Sequence, residues 1–534
     1  MISRVVLSLA SSFLFVSVVT APMPARADNR NQRPMACADL VQLSLPDTVI
    51  RSAVEVPAGP FPFGNVNPTC SSDIASPQLP AFCRVQASIG PGQIGFEVWL
   101  PLENWNGKFE GLGNHGFAGN IEYSDMGPEL VKGYAVAGTD TGHQGNATAW
   151  MQNMQQIVDY GSRGIHEMTV KSKAIIEAFY GKAPKYSYFN GCSTGGKEGL
   201  MEAQRYPEDY DGINVGGSAN FAQIHNRVQY VWSGQSTFGR TPPVPLSGAT
   251  LTLINNAAVA ACDALDGVVD GVIDDPRACN FQPASLLCQA GQAPGTCLTA
   301  AQVDALEKVY QGPRNPRTGE EIYPGLVRGS ERGWGGSTVG PGVSTADTFF
   351  KFMVYNDPNW NFRTFNFDSD LAFTDAHFSQ LLDAIDPDLS AFRKRGGKLL
   401  FSHLWSSNTH AATRSIEYYE QVASLMHGGE KDRGNRFGKT REFFRLFMVP
   451  SASGSKGPDT FDSLPYLERW VEQGIPPKSI LASHKTSGVV DRTRPVCPYP
   501  ERAVYKGSGS TDEAVNFGCR RTRDDKHDHD DDDD

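Results

Sequence analysis

This 534-residue sequence predicts an α/β fold: one largely parallel sheet interrupted by a long insertion. Three observations carry that prediction. Short apolar strands alternate with helical segments between about residues 92 and 213, which is the rhythm of strands joined by crossover helices. The rhythm stops after about Asn220, where Gly, Pro and aromatic residues dominate and Cys262, Cys279, Cys288 and Cys297 fall close together. It resumes at Gly397-Lys398-Leu399-Leu400-Phe401. About 500 residues exceed one simple core, and a single sheet with an insertion accounts for the pattern better than two domains in series.

The elements follow in order. Residues 92–100 (GQIGFEVWL) alternate apolar positions and read as a strand. Lys108–Leu112 is a second short strand, followed by the glycine-rich loop Gly113-Asn114-His115-Gly116-Phe117-Ala118-Gly119. Residues 134–137 form a third strand, ending in Thr139-Asp140-Thr141-Gly142-His143. From Tyr160 to Tyr180 the period is helical, with Ile165, Met168, Ala174, Ile175 and Phe179 on one face. A strand at residues 186–189, a tight glycine turn and a helix to about Arg205 come next. In the last part, helices are predicted over 415–426 and 466–473, with a strand over 443–449. The expected organisation is 28–220 and 396–519 as two parts of one sheet domain, with 221–395 inserted as a lid and 520–534 as a solvated, disordered acidic tail.

The amino end reads as an export signal. Arg4 precedes the apolar run Val5 to Ala21, and Ala25-Arg26-Ala27 supplies a small-x-small cleavage site, so residues 1–27 are read as removed. The run is short for a membrane span, and no membrane anchor is expected after cleavage. The location implied is secreted or periplasmic. A formal charge of −11, part of it in the Asp-rich tail, argues against nucleic acid as a partner. Ten cysteines in an exported chain suggest disulfides. Spacing favours Cys262–Cys279, Cys288–Cys297 and Cys497–Cys519, with Cys37–Cys83 plausible, and leaves Cys70 and Cys192 without obvious partners.

The chemistry-bearing motif is Gly191-Cys192-Ser193-Thr194-Gly195, a G-x-S-x-G between a strand and a helix. A sharp strand-to-helix turn forces such a serine into strained backbone, and the flanking glycines make room for it. Ser193 is therefore the candidate nucleophile. The backbone N–H of Thr194, at the helix N-terminus, points to where an oxyanion would form. The N–H of Gly116, on the loop after an earlier strand, is the candidate second donor.

The stretch FYGKAPKYSYFNGCSTGGKEGLMEAQRYPEDYDGI, from Phe179 to Ile213, resembles the elbow region of the tannase and feruloyl esterase family. LPAFCRV around Cys83, the Gly116–Gly119 loop, GYAVAGTDTGHQG from Gly133, FFRLFMVP from Phe443 and RPVCPYP around Cys497 match as well. The resemblance implies an α/β-hydrolase sheet with a large inserted lid domain, the lid entering after the sixth strand. It also implies a serine carboxylic ester hydrolase acting on small-molecule esters of aromatic acids such as gallate and ferulate. It further implies a structural Ca²⁺ in the lid, held by Asp263, Asp266 and Asp270 with the carbonyls of Val268 and Val272. The run CDALDGVVDGVIDDPRAC has the closely spaced hard oxygens and glycine turns that calcium requires.

Two departures from the family bear on catalysis. Its triad acid follows the strand at residues 398–403, where this chain has His403-Leu404-Trp405-Ser406-Ser407, placing Ser407 in the acid position. Its base is a histidine in a loop after FRLFMVP, where residues 451–458 hold neither His nor Cys. The family's cysteine beside that base pairs with the cysteine before the serine, so Cys192 is expected to have lost its partner. A serine needs a base within hydrogen-bond reach. His410, three residues past Ser407, is the substitute considered first, and His115 the second. A protein that binds aromatic esters or acids without turning them over is the alternative reading, with Trp334, Phe350, Phe352, Tyr355 and Trp360 as candidate lining.

Overall fold

The computed structural model describes residues 33–62, 78–145, 147–216, 219–335, 344–429, 435–450 and 457–521. The predicted leader, Cys70, the residues directly after FFRLFMVP and the acidic tail beyond Arg521 lie outside the described residues.

Strand β1 (Thr48–Val56) leads through the short pair β2 (Gly59–Pro60) and β3 (Gln78–Leu79) to β4 (Phe82–Ile89) and β5 (Ile94–Pro101). Then come β6 (Lys108–Leu112), β7 (Ala135–Thr139), β8 (Tyr186–Cys192), β9 (Gly212–Gly216), β10 (Lys398–Leu404) and β11 (Phe444–Val449). They form a nine-stranded sheet in the order β1-β4-β5-β7-β6-β8-β9-β10-β11. From β7 to β11 every pairing is parallel. β5 runs against both of its neighbours, and β1 pairs antiparallel on the outer edge.

Alternation along each strand divides the core into two layers. Phe189 of β8, Leu399 and Phe401 of β10 and Leu446 of β11 share one buried layer with Ile165, Met168, Ile175, Leu200 and Ile416. Those partners lie on the helices Gly164–Tyr180, Thr194–Arg205 and Ala412–His427. Tyr188, Leu400 and Phe447 face the other layer with Met126, Leu130, Leu467 and Trp470, from the helices Tyr123–Val131 and Leu464–Gln473. Each fully buried Leu, Ile or Phe contributes about 1.5–3 kcal/mol relative to exposure. Stability in this frame therefore comes from both faces of the sheet.

Every parallel strand ends at the same edge, and the loops after β6, β8 and β10 carry the residues singled out by the sequence. Between β9 and β10 the described residues add helices and turns but no strand to the large sheet. Cys262–Cys279, Cys288–Cys297 and Cys497–Cys519 are disulfide-bonded, as their spacing predicted, and Cys37 is bonded to Cys83, the pairing read as plausible. One expectation is corrected: Cys192 has not lost its partner, because it too is disulfide-bonded. The elbow is thus anchored covalently without the family's cysteine beside the base.

The helix predicted from Tyr160 starts earlier. Asn153 caps it, accepting from the N–H groups of Gln155 and Gln156, and residues Asp159–Arg163 form a wide π turn before the regular helix. Lys197 explains the turn. Its buried ammonium takes the carbonyls of Tyr160 and Gly161, both at 2.9 Å, which a regular helix would have used internally.

Candidate active site

Ser193 sits at φ 57°, ψ −118°, between the end of β8 and the helix Thr194–Arg205. That backbone is unfavourable for a residue with a Cβ, and it persists only where its surroundings impose it. Gly191 and Gly195 impose it here. A Cβ on Gly191 would meet the Gly195 carbonyl oxygen at 2.4 Å, and one on Gly113 would meet the Gly195 Cα at 2.5 Å. Three backbone segments thus touch where only glycines fit.

The loop after β6 is fastened to this turn. The Gly195 N–H donates to the Asn114 carbonyl at 2.7 Å, and the Thr194 hydroxyl donates to the Gly116 carbonyl. The Asn114 N–H donates to Glu198 Oε2 at 2.9 Å. Gly116 therefore lies against Thr194. As the first residue of its helix, Thr194 has no acceptor for its N–H inside that helix. Glu198 and Lys197 were not singled out by the sequence. Burial raises the Glu198 carboxyl above its ordinary value and lowers the Lys197 ammonium to about 8. The signal available was two charged residues just behind the serine in a glycine-rich, otherwise apolar helix start.

The two histidines considered as substitutes differ. His410 is 5% exposed, its Nδ1 lies 2.9 Å from the Thr409 hydroxyl, and burial followed by the charge on His403 pushes it well below its ordinary value. Its main-chain N–H donates to Ser407 Oγ at 3.2 Å, so Ser407 serves the turn after β10. His115 lies between Asn114 and Gly116, the two residues bonded to the elbow. Its Nε2 is 3.0 Å from Asp125 Oδ2. Burial lowers its pKa, but the bond to Asp125 and that carboxylate's charge outweigh burial and raise it above 6.5. Among the described residues no side chain hydrogen-bonds to Ser193 Oγ.

Above this edge the aromatic residues of the inserted segment pack together. Phe350 lies 5.0 Å from Trp360 and 4.9 Å from Phe365. The same cluster includes Trp150, with Phe117 of the loop after β6 packed against it. Arg227 bridges Phe117 and Phe349, at 5.0 and 4.8 Å from the ring centres. Trp334 is buried in a separate cluster, with its Nε1–H donating to Ser330 Oγ at 2.9 Å.

The acidic loop from Asp263 to Asp275 is closed by Cys262–Cys279. Asp263 Oδ1 accepts the N–H groups of Asp270, Gly271 and Val272, while Asp266 accepts that of Val268. Burial, with the charge of Asp270 adding, pushes Asp266 up to about 6. Burial, with Asp266 adding, pushes Asp274 up to about 7, and Asp274 Oδ1 is buried without a hydrogen bond. Asp270 has turned to two buried arginines, Arg494 and Arg492, and Arg494 lies 3.9 Å above the ring of Phe517.

The sheet order, the reversed β5 and the strained serine after β8 are those of an α/β-hydrolase. The chain matches the tannase and feruloyl esterase family over residues 83–520. It is 38% identical to an uncharacterized esterase of Xanthomonas campestris pv. campestris, over 91% of each chain. It is 30% identical to feruloyl esterase B of Aspergillus niger, over 90% of this chain and 94% of that one. The crystal structure of feruloyl esterase B from Aspergillus oryzae aligns with a TM-score of 0.80 at 28% identity, covering 90% of this chain and 98% of that one. Tannin acyl hydrolase from Aspergillus niger shares the fold, with a TM-score of 0.75 at 21% identity over 90% of this chain and 92% of that one. The protein belongs to the tannase and feruloyl esterase family.

Proposed function

We propose that the protein is an exported carboxylic ester hydrolase acting on small esters of aromatic acids, with Ser193 as nucleophile. The observation that carries this reading is the strained Ser193 backbone, locked by glycine contacts and followed by Thr194, whose hydroxyl donates to the Gly116 carbonyl. Ser193 Oγ attacks the ester carbonyl carbon, and the N–H groups of Thr194 and Gly116 stabilise the oxyanion. The alcohol leaves, and water then cleaves the acyl-serine. The aromatic cluster that reaches Phe117 favours an aromatic acyl group. The disulfides favour an oxidising compartment, in line with the export signal read at residues 1–27.

Ser193 needs a proton acceptor, and the acid position of the family is filled by Ser407. Of the two histidines, we assign the role to His115 rather than His410. His115 has a carboxylate to orient and charge it, whereas His410 is pushed well below its ordinary value in a buried site. The test is hydrolysis of methyl ferulate and methyl gallate by the purified protein across pH 5 to 9. Turnover is expected to rise through a pKa above 6.5, because only the neutral imidazole accepts a proton. The Asp125→Asn variant should move that rise to lower pH and reduce kcat. A profile unchanged in Asp125→Asn refutes the role of His115. Absence of acid release at every pH refutes the esterase and leaves a binding protein, the reading that the substituted acid position favours.

We also propose that the loop around Asp263, Asp266 and Asp270, with the Val268 and Val272 carbonyls, holds one structural calcium ion. The donor set is made of hard oxygens, and the raised Asp266 and Asp274 mark a site short of positive charge. These carboxyls have folded pKa values above their unfolded ones. Their contribution to stability is therefore complete below about pH 4 and is lost as pH rises through about 6 to 7. Calcium should cancel that loss. With EGTA, Tm is expected to fall between pH 5 and 8; with millimolar calcium the fall should be largely removed. Equal Tm with EGTA and with calcium at pH 8 refutes the site.

A further inference from the structure

At the far end of the elbow helix, remote from the acidic loop, a second polar cluster is closed in. Glu202 lies nine residues beyond Ser193, about 14 Å along the helix axis. It is 1% exposed, and both carboxylate oxygens are buried without a hydrogen bond. Asp209, on the turn leading to β9, is 7% exposed, and its Oδ2 lies 2.6 Å from Nδ1 of His166. One ligand atom from each of His166, Glu202 and Asp209 lies within 4.8 Å of the other two, the one such grouping among the described residues. The ring of His166 stacks on Tyr206, with centres 3.9 Å apart and planes 10° from parallel, which fixes its direction. Its side chain is 30% exposed, so the cluster has an opening to water.

An imidazole nitrogen with two carboxylates is a mixed nitrogen–oxygen donor set. It suits zinc and its neighbours, whereas calcium and magnesium take oxygen shells. Among the described residues no amide or hydroxyl donates to the Glu202 oxygens, and the Asp209 carboxylate lies within hydrogen-bond reach of them; two buried acceptors that close need a shared proton or a cation between them. Lys173 does not satisfy them: its ammonium donates to the main-chain carbonyl of Asp209. Glu198 adds negative charge from the same helix, against the single positive charge of Lys173.

We infer that His166, Glu202 and Asp209 form a binding site for one zinc-class divalent cation, with water from the open side as the fourth ligand. The ion would tie the helix Gly164–Tyr180, the carboxyl end of the elbow helix and the turn before β9 at one point.

The test uses the full chain, stripped with a chelator and kept in saturating calcium, titrated with Zn²⁺ by calorimetry. Co²⁺ serves as the optical probe. His527 and His529 in the Asp-rich end offer another binder, so the comparison is with Glu202→Gln, which shares that end. Wild type is expected to take up one more equivalent of Zn²⁺ than the variant. It should also show a Zn²⁺-dependent rise in Tm and a visible Co²⁺ band, both absent from the variant. His166→Gln, at the ligand nearest solvent, should give the same loss and covers failure of Glu202→Gln to fold. Equal stoichiometry and Tm response in wild type and His166→Gln overturn the inference. So does absence of Zn²⁺ binding by wild type, which assigns the cluster to a proton shared between Glu202 and Asp209.

Discussion

Replacing Ser193 with alanine should reduce ester turnover by about 10³-fold or more while leaving the thermal transition nearly unchanged. The first part follows from the reaction: without Oγ no acyl-serine forms, and the Thr194 and Gly116 amides have no covalent intermediate to stabilise. The second follows from packing. Ser193 Oγ makes no hydrogen bond among the described residues, so its removal leaves no polar group stranded. The measurement is acid release from methyl ferulate by chromatography, with Tm in parallel. Equal turnover by wild type and Ser193→Ala would place any hydrolysis elsewhere in the molecule. A large fall in Tm would show that the loss of rate came from unfolding.

Gly191→Ala should act in the opposite manner, destabilising the fold by about 3 kcal/mol and removing activity as a consequence. The new Cβ would stand 2.4 Å from the Gly195 carbonyl oxygen and 2.5 Å from its carbon. Both are backbone atoms of the turn itself, and neither can swing aside. Relief requires the helix Thr194–Arg205 to shift away from β8. Such a shift also breaks the bonds from Gly195 to Asn114 and from Thr194 to Gly116. Urea unfolding gives the stability change directly. A midpoint equal to wild type would mean that the turn has slack the close contacts do not show.

The elbow was legible because its requirements are local: a strand, three glycines around a serine, and a helix start. The disulfides Cys262–Cys279, Cys288–Cys297 and Cys497–Cys519 were legible for the same reason, since each closes a short loop. The parallel strands β8, β10 and β11 each carry a short apolar run, Tyr188-Phe189, Leu399-Leu400-Phe401 and Leu446-Phe447-Met448-Val449, as both faces are covered. Strands β4 and β9 were missed, and so was β1. On the sheet edge its burial alternates weakly, and Val49 and Val54 are exposed, so no period-two signal reaches the sequence. The partnering of Cys192 was missed because the residues that replace the family's base loop carry no cysteine, and long-range pairing has no local signal. Asp274 was passed over in favour of its neighbours, since only the folded loop shows its oxygen buried and unpaired. Nothing in sequence spacing distinguishes the buried His410 from His115. Their neighbours, Thr409 in one case and Asp125 in the other, separate them.

The bonds from Asp270 to Arg492 and Arg494 join residues more than two hundred positions apart, and they set an order of events in the cell. A chain emerging from its amino end presents the acidic loop long before either arginine exists. Until the final segment arrives, Asp270 lacks both of the arginines that pair with it. Maturation of the inserted segment is therefore one of the last steps of synthesis or transport. A chain interrupted before Arg492 would retain the strands of the large sheet yet leave Asp270 without its partners, an unfinished inserted segment open to proteolysis.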